Sequence, residues 1–539
     1  MCKSLSIPRC SASSSPASSP PAEKREMSDE STTPAAGGDE GRGLEELMAL
    51  KKAKIADMRA RGIDPFPSRT VRHNECSSVK KLGSTLTEPM QHTADKVAIA
   101  GRLVELRDMG KSIFGRLADL SGTAQVYFKK DALPEDVFAL VKKDLARGDF
   151  LAVSGTVFIT KTGEPTVAVE HATMLAKAVR PLPEKWHGLM DTELRYRQRH
   201  LDLISTPESR DVFVKRAKII STIRRVLDSR GYIEVETPVL LGQAGGASAR
   251  PFHTHHNALD QDMVLRIATE LYLKKLVIGG LDRVYEIGRV FRNEGLDTRH
   301  NPEFTMLEAY EAYSDYEGMA ALFETLLTEC AEACGVTEVE WLGKTISLKA
   351  PFRRLYLPEV WKERCNEPIE NILEGKGFNR PGLLKLAEKL GVPAGEKTPS
   401  AKLFDRIIES KIEDLLEQPT FLFDHPTAIT PLAKLKPGTE SLVERFECFA
   451  AGIELSNAYS ELNDPQDQRD RLTEQMKQKA AGDAEADLLD EDFIQAMEAG
   501  MPPMGGIGVG IERITMLLTG RDSIRDVILF PTLKTEKTA

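Results

Sequence analysis

The spacing of apolar residues along the chain changes period several times. Between residues 43 and 67, Leu44, Leu47, Leu50, Ile55 and Met58 recur at near-helical intervals with charges between them, and Gly62 and Pro65 close the run. This pattern predicts one amphipathic helix. From Val97 to about Leu182 the texture becomes short β-rich runs such as VAIAGRLVELRD, SIFGRLADL and TAQVYFKK, separated by glycine-containing turns. Five or so strands, with one helix near DVFALVKKDL, suggest a small Greek-key barrel of the oligonucleotide-binding (OB) kind.

A second body opens with SRDVFVKRAKIISTIRRVLDSRG, in which Phe213, Ala217, Ile220, Ile223 and Leu227 form a helical stripe ended by Gly231. YIEVETPVL follows as a strand broken at Pro238. DRVYEIGRVFRNE and PEFTMLEAYEAY read as antiparallel strands joined by GLDTRHN. On the second of them, Phe304, Met306, Glu308 and Tyr310 share a face by alternation, and periodicity leaves open which face is buried. Farther on, RFECFAAGIELSNAYSELND reads as a strand-like run carrying Glu447, Glu454 and Glu461, with Asn457, Tyr459 and Glu461 of one parity. GGIGVGIERITMLL then feeds a glycine-rich strand into a helix with Arg513 at its start.

Composition narrows the class. At 539 residues the chain exceeds what one core usually supports, and 41% hydrophobic with 29% charged residues is the balance of a globular protein. The longest apolar runs, such as LRIATELYLKKLVIGG, are interrupted by Glu and Lys before a bilayer span is reached, so no membrane segment is expected. A net charge of −10 argues against a broad basic surface, so any nucleic-acid site must be local. The seven cysteines form no CxxC pair and no zinc spacing, which fits a reducing, cytoplasmic setting; Cys330 and Cys334, on one helix face, are read as core. Residues 1–43, rich in Ser, Pro, Ala and Gly, are expected to be a disordered tail; a transit peptide, or a start at Met27, stays open for this stretch.

Candidate chemistry follows from these elements. On the expected barrel, Phe114 and Tyr127 with Gln125 between them, and Arg102, Arg107, Lys111, Lys129 and Lys130 nearby, have the aromatic and basic character of a single-strand surface. The connector carries alternating Arg195, Arg197 and Arg199, read as a linker strip with an RNA-facing role left open. In GGIGVGIER the glycines lack the spacing of a dinucleotide fingerprint, and no GK[ST] phosphate loop occurs. Alternate glycines on a strand instead leave one face bare for a flat ligand, with a fixed arginine beside it.

FRNEGLDTRHNPEFTMLEAY resembles motif 2 of the class II aminoacyl-tRNA synthetases, GGIGVGIER their motif 3, and GYIEVETPVL their motif 1, with its proline at Pro238. ARPFHTHHNALDQDMVLRIATELYLKKLVIGG, RHNPEFTMLEAYEAY and ELSNAYSELND are similar to the lysyl-tRNA synthetases, over roughly residues 44–534. The resemblance implies an α+β, multidomain architecture: a tail (1–43), an N-terminal helix and connection (44–94), an OB-fold anticodon-binding domain (95–182), a linker (183–206) and a class II catalytic domain (207–536). That last domain is expected to be an antiparallel sheet flanked by helices, with a helical insertion around 340–440.

The implied reaction joins the carboxylate of lysine to the α-phosphate of ATP, releases pyrophosphate, and then passes lysine to the 3′ end of tRNA(Lys). The resemblance implies that Arg292 binds the α-phosphate and the attacking carboxylate and that Arg513 holds the other side of the nucleotide. Glu294, His300 and Asn301 would contact ATP, and Phe304 would stack on adenine. Glu447 and Glu454 would bind Mg2+, with more than one ion per site expected, and Glu447 thereby contributes to ATP binding. Glu308 and Glu461 would converge on the ε-ammonium with Tyr310, Asn457 and Tyr459 alongside, while Glu270 and the backbone at Gly246 would take the α-amino group. Arg102, Phe114 and Gln125 would read the anticodon, and a homodimer through motif 1 is implied. HTHH (253–256) is read as a loop or ligand gate, and the acidic KAAGDAEADLLDEDF as a solvated helix face. Aspartyl or asparaginyl synthetases would want cations where Glu308 and Glu461 stand; a lysine-activating modifier of elongation factor P lacks the barrel; a noncatalytic RNA-binding paralogue would lose Arg292, Glu447, Glu454 or Arg513.

Overall fold

The computed structural model describes residues 43–182, 191–395, 398–480 and 489–535. The expected tail, residues 183–190 of the expected linker 183–206 and most of the acidic KAAGDAEADLLDEDF segment lie outside the described residues; the rest of that linker is two short helices, Thr192–Arg197 and Arg199–Ser205. The chain divides into two compact units, 1–182 and 183–539.

In the first unit, β1 (His92–Asp108), β2 (Ser112–Asp119), β3 (Gly122–Lys129), β4 (Phe150–Ile159) and β5 (Pro165–Ala176) close into a barrel in the order β1-β2-β3-β5-β4. Every contact is antiparallel except β3 with β5. Alternation explains the closure: Val97, Ile99 and Leu103 of β1 and Leu151, Val153 and Val157 of β4 point inward and are buried. Gly155 is a steric requirement of that closure, since a Cβ there would lie 1.9 Å from the carbonyl oxygen of Ala168 on β5. The expected N-terminal helix spans Leu44–Ala60; Leu47, Ile55 and Met58 are buried, whereas Leu44 and Leu50 face solvent.

The second unit is built on one large sheet. Its strands, in chain order, are β6 (Ile233–Glu234), β7 (Leu240–Leu241), β8 (His253–His256), β9 (Gln261–Leu265), β10 (Arg283–Phe291), β11 (Glu303–Ala312), β12 (Glu338–Trp341), β13 (Lys344–Ser347), β14 (Arg353–Tyr356), β15 (Leu373–Glu374), β16 (Gly377–Phe378), β17 (Thr420–Pro426), β18 (Leu442–Ala450), β19 (Ile453–Ser460) and β20 (Met504–Gly510). Eight of them form a sheet in the order β14-β17-β18-β19-β20-β11-β10-β6. Its six central strands are antiparallel and both edge pairs are parallel. Against one face pack the helices Pro207–Ser229, Tyr316–Cys334 and Ile511–Thr519, whose Ile223, Leu227, Phe323, Leu327 and Leu517 share a core with Leu307, Ala309, Ala458 and Ile507. The other face carries the cavity described below.

Three sequence expectations need adjustment. The buried stripe of helix Pro207–Ser229 runs through Val212, Ile219, Ile223, Val226 and Leu227; Phe213 and Ile220 are only half-buried and Ala217 is exposed. RFECFAAGIELSNAYSELND is two strands, because Ala451 (φ 50°) and Gly452 (φ 74°) turn the chain between β18 and β19. The 340–440 segment contains the helices Leu357–Cys365, Arg380–Leu390 and Ser400–Lys411, around a separate core with Trp361 and Phe404, and it also supplies β14 and β17 to the main sheet. Cys330 is buried and Cys334 half-buried; they and Cys76, Cys365 and Cys448 are free thiols. Among the described residues no helix is long and apolar enough to cross a membrane.

Candidate active site

The register of the sheet gathers the site. Glu308 on β11 faces Gly508 on β20, Gly508 faces Asn457 on β19, and Asn457 faces Glu447 on β18. The next row runs Tyr310, Gly506, Tyr459, Arg445. Because side chains alternate across a strand, both rows lie on the sheet face opposite the helix-packed core. The glycines of β20 leave a trough between the side chains of β11 and β19, and that trough is the floor of a cavity of about 870 Å³.

At one end of the cavity stand Arg292, Glu294, His300, Asn301, Phe304 and Arg513. Arg292 lies over the ring of Phe304 at 5.3 Å and reaches the carbonyl of Ile267 at 3.5 Å. Burial lowers its pKa from the ordinary guanidinium value, and the charges of Glu294, Glu454 and Glu308 oppose that shift. Asn301, 5% exposed, donates through Nδ2 to the carbonyl of Glu303 at 2.6 Å and leaves Oδ1 without a partner. His300 and Glu294 are exposed; the His300 ring meets Asp297 at 2.8 Å. Arg513 donates to the carbonyl of Glu454 at 2.8 Å and to its carboxylate at 3.0 Å. Glu447 is held by Arg445 at 2.5 Å.

Glu454 and Glu447 line the same cavity although a seven-residue step on one strand would send them to opposite faces. The turn at Ala451–Gly452 and the register shift between Cys448 and Phe449 cancel that difference. Asp405, an exposed residue of helix Ser400–Lys411, also lines the wall; partial desolvation there, with the neighbouring charge of Glu447, pushes its carboxyl up to about 6. The sequence offered no signal for Asp405, because the 340–440 segment carried no recognisable motif.

The other end holds three buried carboxylates. Glu308, 5% exposed, accepts from the backbone N–H of Thr269 at 3.0 Å and from the hydroxyl of Tyr310 at 3.3 Å. Burial raises its carboxyl to about 7 against those two hydrogen bonds. Glu270, in the first turn of the helix Glu270–Ile278, accepts from the Tyr459 hydroxyl at 2.7 Å. Gly246, with φ +83°, sits where a Cβ would come 3.2 Å from that of Glu270. Glu461 follows β19 and is 2% exposed. Its carboxyl meets the ammonium of Lys274 rather than standing in a pair with Glu308, so the expected convergence of Glu308 and Glu461 on one point includes a cation that the sequence reading did not anticipate. The available signal was a lysine on an apolar helix, in LYLKKLVI.

The HTHH residues form β8, all exposed, with His255 against Asp262 at 2.9 Å. Among the described residues no group of three or more His, Cys, Asp or Glu side chains could hold a metal ion. In the Arg strip, Arg195 and Arg199 both pair with Asp202, and Arg199 is 1% exposed and bonded to the carbonyls of Arg525, Ile528 and Leu529; these side chains lock the fold.

On the barrel unit a cavity of about 510 Å³ is lined by Phe114, Gln125, Tyr127, Phe158, Arg107 and Arg116, among others. Phe114 and Tyr127 have ring centroids 4.7 Å apart, and Gln125 donates to Thr166 at 2.8 Å. Arg102 is elsewhere: its guanidinium covers the ring of Phe150 at 4.2 Å and donates to the carbonyl of Gly148 at 2.9 Å. Arg102 therefore does not join Phe114 and Gln125; Arg107 and Arg116 are the basic groups beside them.

Two protein-family models match the chain: "tRNA synthetases class II (D, K and N)" over residues 191–534, and "OB-fold nucleic acid binding domain" over residues 97–175. The lysine–tRNA ligase of Enterococcus faecalis is 47% identical over 497 residues, covering 91% of this chain and 98% of that protein. That of Syntrophomonas wolfei is 46% identical (91% and 97% covered) and that of Bacillus subtilis 45% identical (91% and 98% covered). The bare glycine trough flanked by Arg292 and Arg513, the buried carboxylates beyond it, and these likenesses along nearly the whole chain lead to one conclusion: the chain belongs to the class II aminoacyl-tRNA synthetases, among the lysine–tRNA ligases.

Proposed function

We propose that the cavity joins lysine to ATP, forming lysyl-adenylate and pyrophosphate, and that the same chain then transfers lysine to the 3′ end of tRNA(Lys). The observation that carries this reading is the polarity of the trough. Arginines 292 and 513 stand at one end, and at the other the buried carboxylates of Glu270 and Glu308 line the wall, with Glu461 buried behind Gly506.

A lysine carboxylate attacking the α-phosphate of ATP needs its two negative partners held together, and Arg292 is the cation between the two halves of the cavity. Phe304, already under that guanidinium, offers a face for adenine. Asn301, with its free Oδ1, and the exposed Glu294 and His300 are the remaining groups of the hairpin loop available to the nucleotide, and Arg513 takes the far phosphates. The attack forms the acyl–phosphate bond and breaks the bond to the β-phosphate oxygen, with pyrophosphate leaving. No protein nucleophile is needed.

Lysine–tRNA ligases of class II use ATP with Mg2+. Glu447 and Glu454 fit that ion: Mg2+ takes one or two carboxylates and fills its remaining positions with phosphate oxygens and water, so no third protein donor is required. When bound, the ion would neutralise phosphate charge as pyrophosphate departs. Until then Arg445 and Arg513 hold the two carboxylates in ion pairs.

Along β11, Glu308 lies one row nearer to Phe304 than Tyr310 does, and Glu461 reaches the row of Tyr310 and Gly506. This order supports Glu461 and Tyr310 for the ε-ammonium, with Asn457 and Tyr459 beside them. Glu308, Glu270 and the backbone at Gly246 then take the α-amino group. A neutral side chain of the same length would leave a buried carboxylate unpaired, a cost of several kcal/mol in general.

The barrel cavity would take anticodon bases on Phe114 and Tyr127, beside Gln125 and Arg107. A homodimer is supported by exposed Ile233, Val239 and Leu240 in the motif 1 segment, and a cytoplasmic setting by the free thiols. ATP–pyrophosphate exchange with Mg2+ and each of the twenty amino acids tests the reading. Exchange with lysine alone is expected; exchange with aspartate or asparagine, or with no amino acid, sinks it.

A further inference from the structure

Behind the carboxylates at this end of the cavity lies a buried lysine. Lys274 follows Glu270 by four residues on the helix Glu270–Ile278, which stacks the two side chains on one helix face. Lys274 is 0% exposed, and its Nζ lies 5.5 Å from the ring centre of Tyr459 and 5.8 Å from that of Phe493. Nζ donates to Oε1 of Glu270 and forms an ion pair with Oε2 of Glu461. Neither oxygen of Glu461 makes a hydrogen bond of good geometry, and Oε1 lies over the bare backbone of Gly506, where a Cβ would be 2.0 Å away.

We propose that Lys274 is a positioning residue for substrate recognition. By engaging Oε2 of Glu461 it turns Oε1 toward Gly506 and the trough, and its fixed charge favours the ionised form of the carboxylates that the two ammonium groups of a diamino acid would meet. The inference rests on the reading of this end of the cavity as the lysine site.

The electrostatics follow the same logic. Burial opposes the charge on Lys274, but Glu270 and Glu461 outweigh it and raise the ammonium above its ordinary pKa. For Glu461 the balance goes the other way: burial, reinforced by Glu270 and Glu308, raises its carboxyl well above the ordinary range despite Lys274. These shifts are compatible, because one ammonium cannot fully compensate two buried carboxylates. Glu308 and Tyr310 from β11, Tyr459 from β19 and the Arg292 guanidinium, which feels the charge of Glu308, are the other charged or titratable groups around the cluster. With the lysine charge removed, Glu461 would hold its proton more tightly still, and its attraction for a substrate ammonium would fall.

The test is the lysine KM of Lys274→Met and Lys274→Gln in ATP–pyrophosphate exchange between pH 7 and 9. The Gln variant keeps an N–H donor between the carboxylates if the Met variant does not fold. The expected result is a lysine KM raised about tenfold or more at pH 7 and drawing closer to wild type as pH rises toward 9, with the ATP KM changed less than about twofold. A folded neutral variant with the wild-type lysine KM and pH profile overturns the role of Lys274. If neither neutral variant folds, Lys274→Arg decides: a lysine pH profile superimposing on wild type supports the charge role, and a displaced one overturns it. Failure of wild-type protein to exchange with lysine would instead overturn the reading of the cavity.

Discussion

Gly506 on β20 and Glu461 after β19 occupy one another's space: a Cβ at Gly506 would lie 2.0 Å from Oε1 of Glu461 and 2.4 Å from the ring of Tyr310. Any side chain there must displace the carboxylate. Gly506→Ala is therefore expected to raise the lysine KM in pyrophosphate exchange by about two orders of magnitude while leaving the ATP KM within about threefold. An unchanged lysine KM would show that Glu461 does not face the substrate.

Glu308 links function to stability with a definite sign. Its carboxyl is raised to about 7 from 4.5, so between those values the folded protein holds a proton that the unfolded chain releases. The stability contributed by this group is full below about pH 4.5 and is lost as pH rises through 7. Glu308→Gln stays neutral and can still accept from Thr269. The ligand-free variant is expected to be more stable than wild type at pH 8, by up to about 3 kcal/mol, and equal to it near pH 4.5. Denaturation of the catalytic unit at both pH values measures the difference, and the same variant should lose lysine-dependent exchange.

The same proton predicts how binding responds to pH. A cationic amino acid favours ionised carboxylates, so its binding to wild-type protein should release protons near neutrality. The lysine KM is expected to rise as pH falls below 7, by up to about tenfold per unit, while the ammonium groups of lysine stay charged. A lysine KM flat between pH 5.5 and 8 would contradict an ionising Glu308 in the site.

Arg292 and Arg513 are expected to matter for chemistry more than for folding, since Arg292, besides lying over Phe304, makes a single long hydrogen bond to a carbonyl among the described residues, and Arg513 sits on the cavity edge against Glu454. Arg292→Ala and Arg513→Ala should each lower kcat/KM in exchange by about 10²-fold or more with an unchanged circular dichroism spectrum. Normal activity in either folded variant would remove that arginine from the proposed mechanism.

On the barrel, Phe114→Ala and Arg107→Ala are expected to raise the tRNA KM by about tenfold each while amino-acid activation stays at the wild-type rate. Arg102→Ala should leave the tRNA KM near wild type and lower thermal stability, because Arg102 packs on Phe150. Aminoacylation assays beside pyrophosphate exchange separate the two outcomes.

Local pattern alone carried the hairpin of β10 and β11, the barrel strands, and the parity of Glu308 with Tyr310 and of Asn457 with Tyr459, because alternation follows from backbone geometry and needs no partner. The glycine spacing of β20 likewise announced a bare face. Choices between two local solutions were decided only by packing. Helix Pro207–Ser229 offers two adjacent apolar stripes, and the sheet buries the one through Val212, Ile219 and Val226. Glu454 joins Glu447 only through a turn and a register shift. Asp405, the partners of Lys274 and the choice of Arg107 over Arg102 were left undecided for the same reason: each depends on which distant segment lies opposite. Sequence period fixes the direction in which a side chain leaves its own strand or helix. Whether it then meets a carboxylate, an aromatic ring or water depends on long-range packing, and no residue's neighbours in the chain encode that meeting.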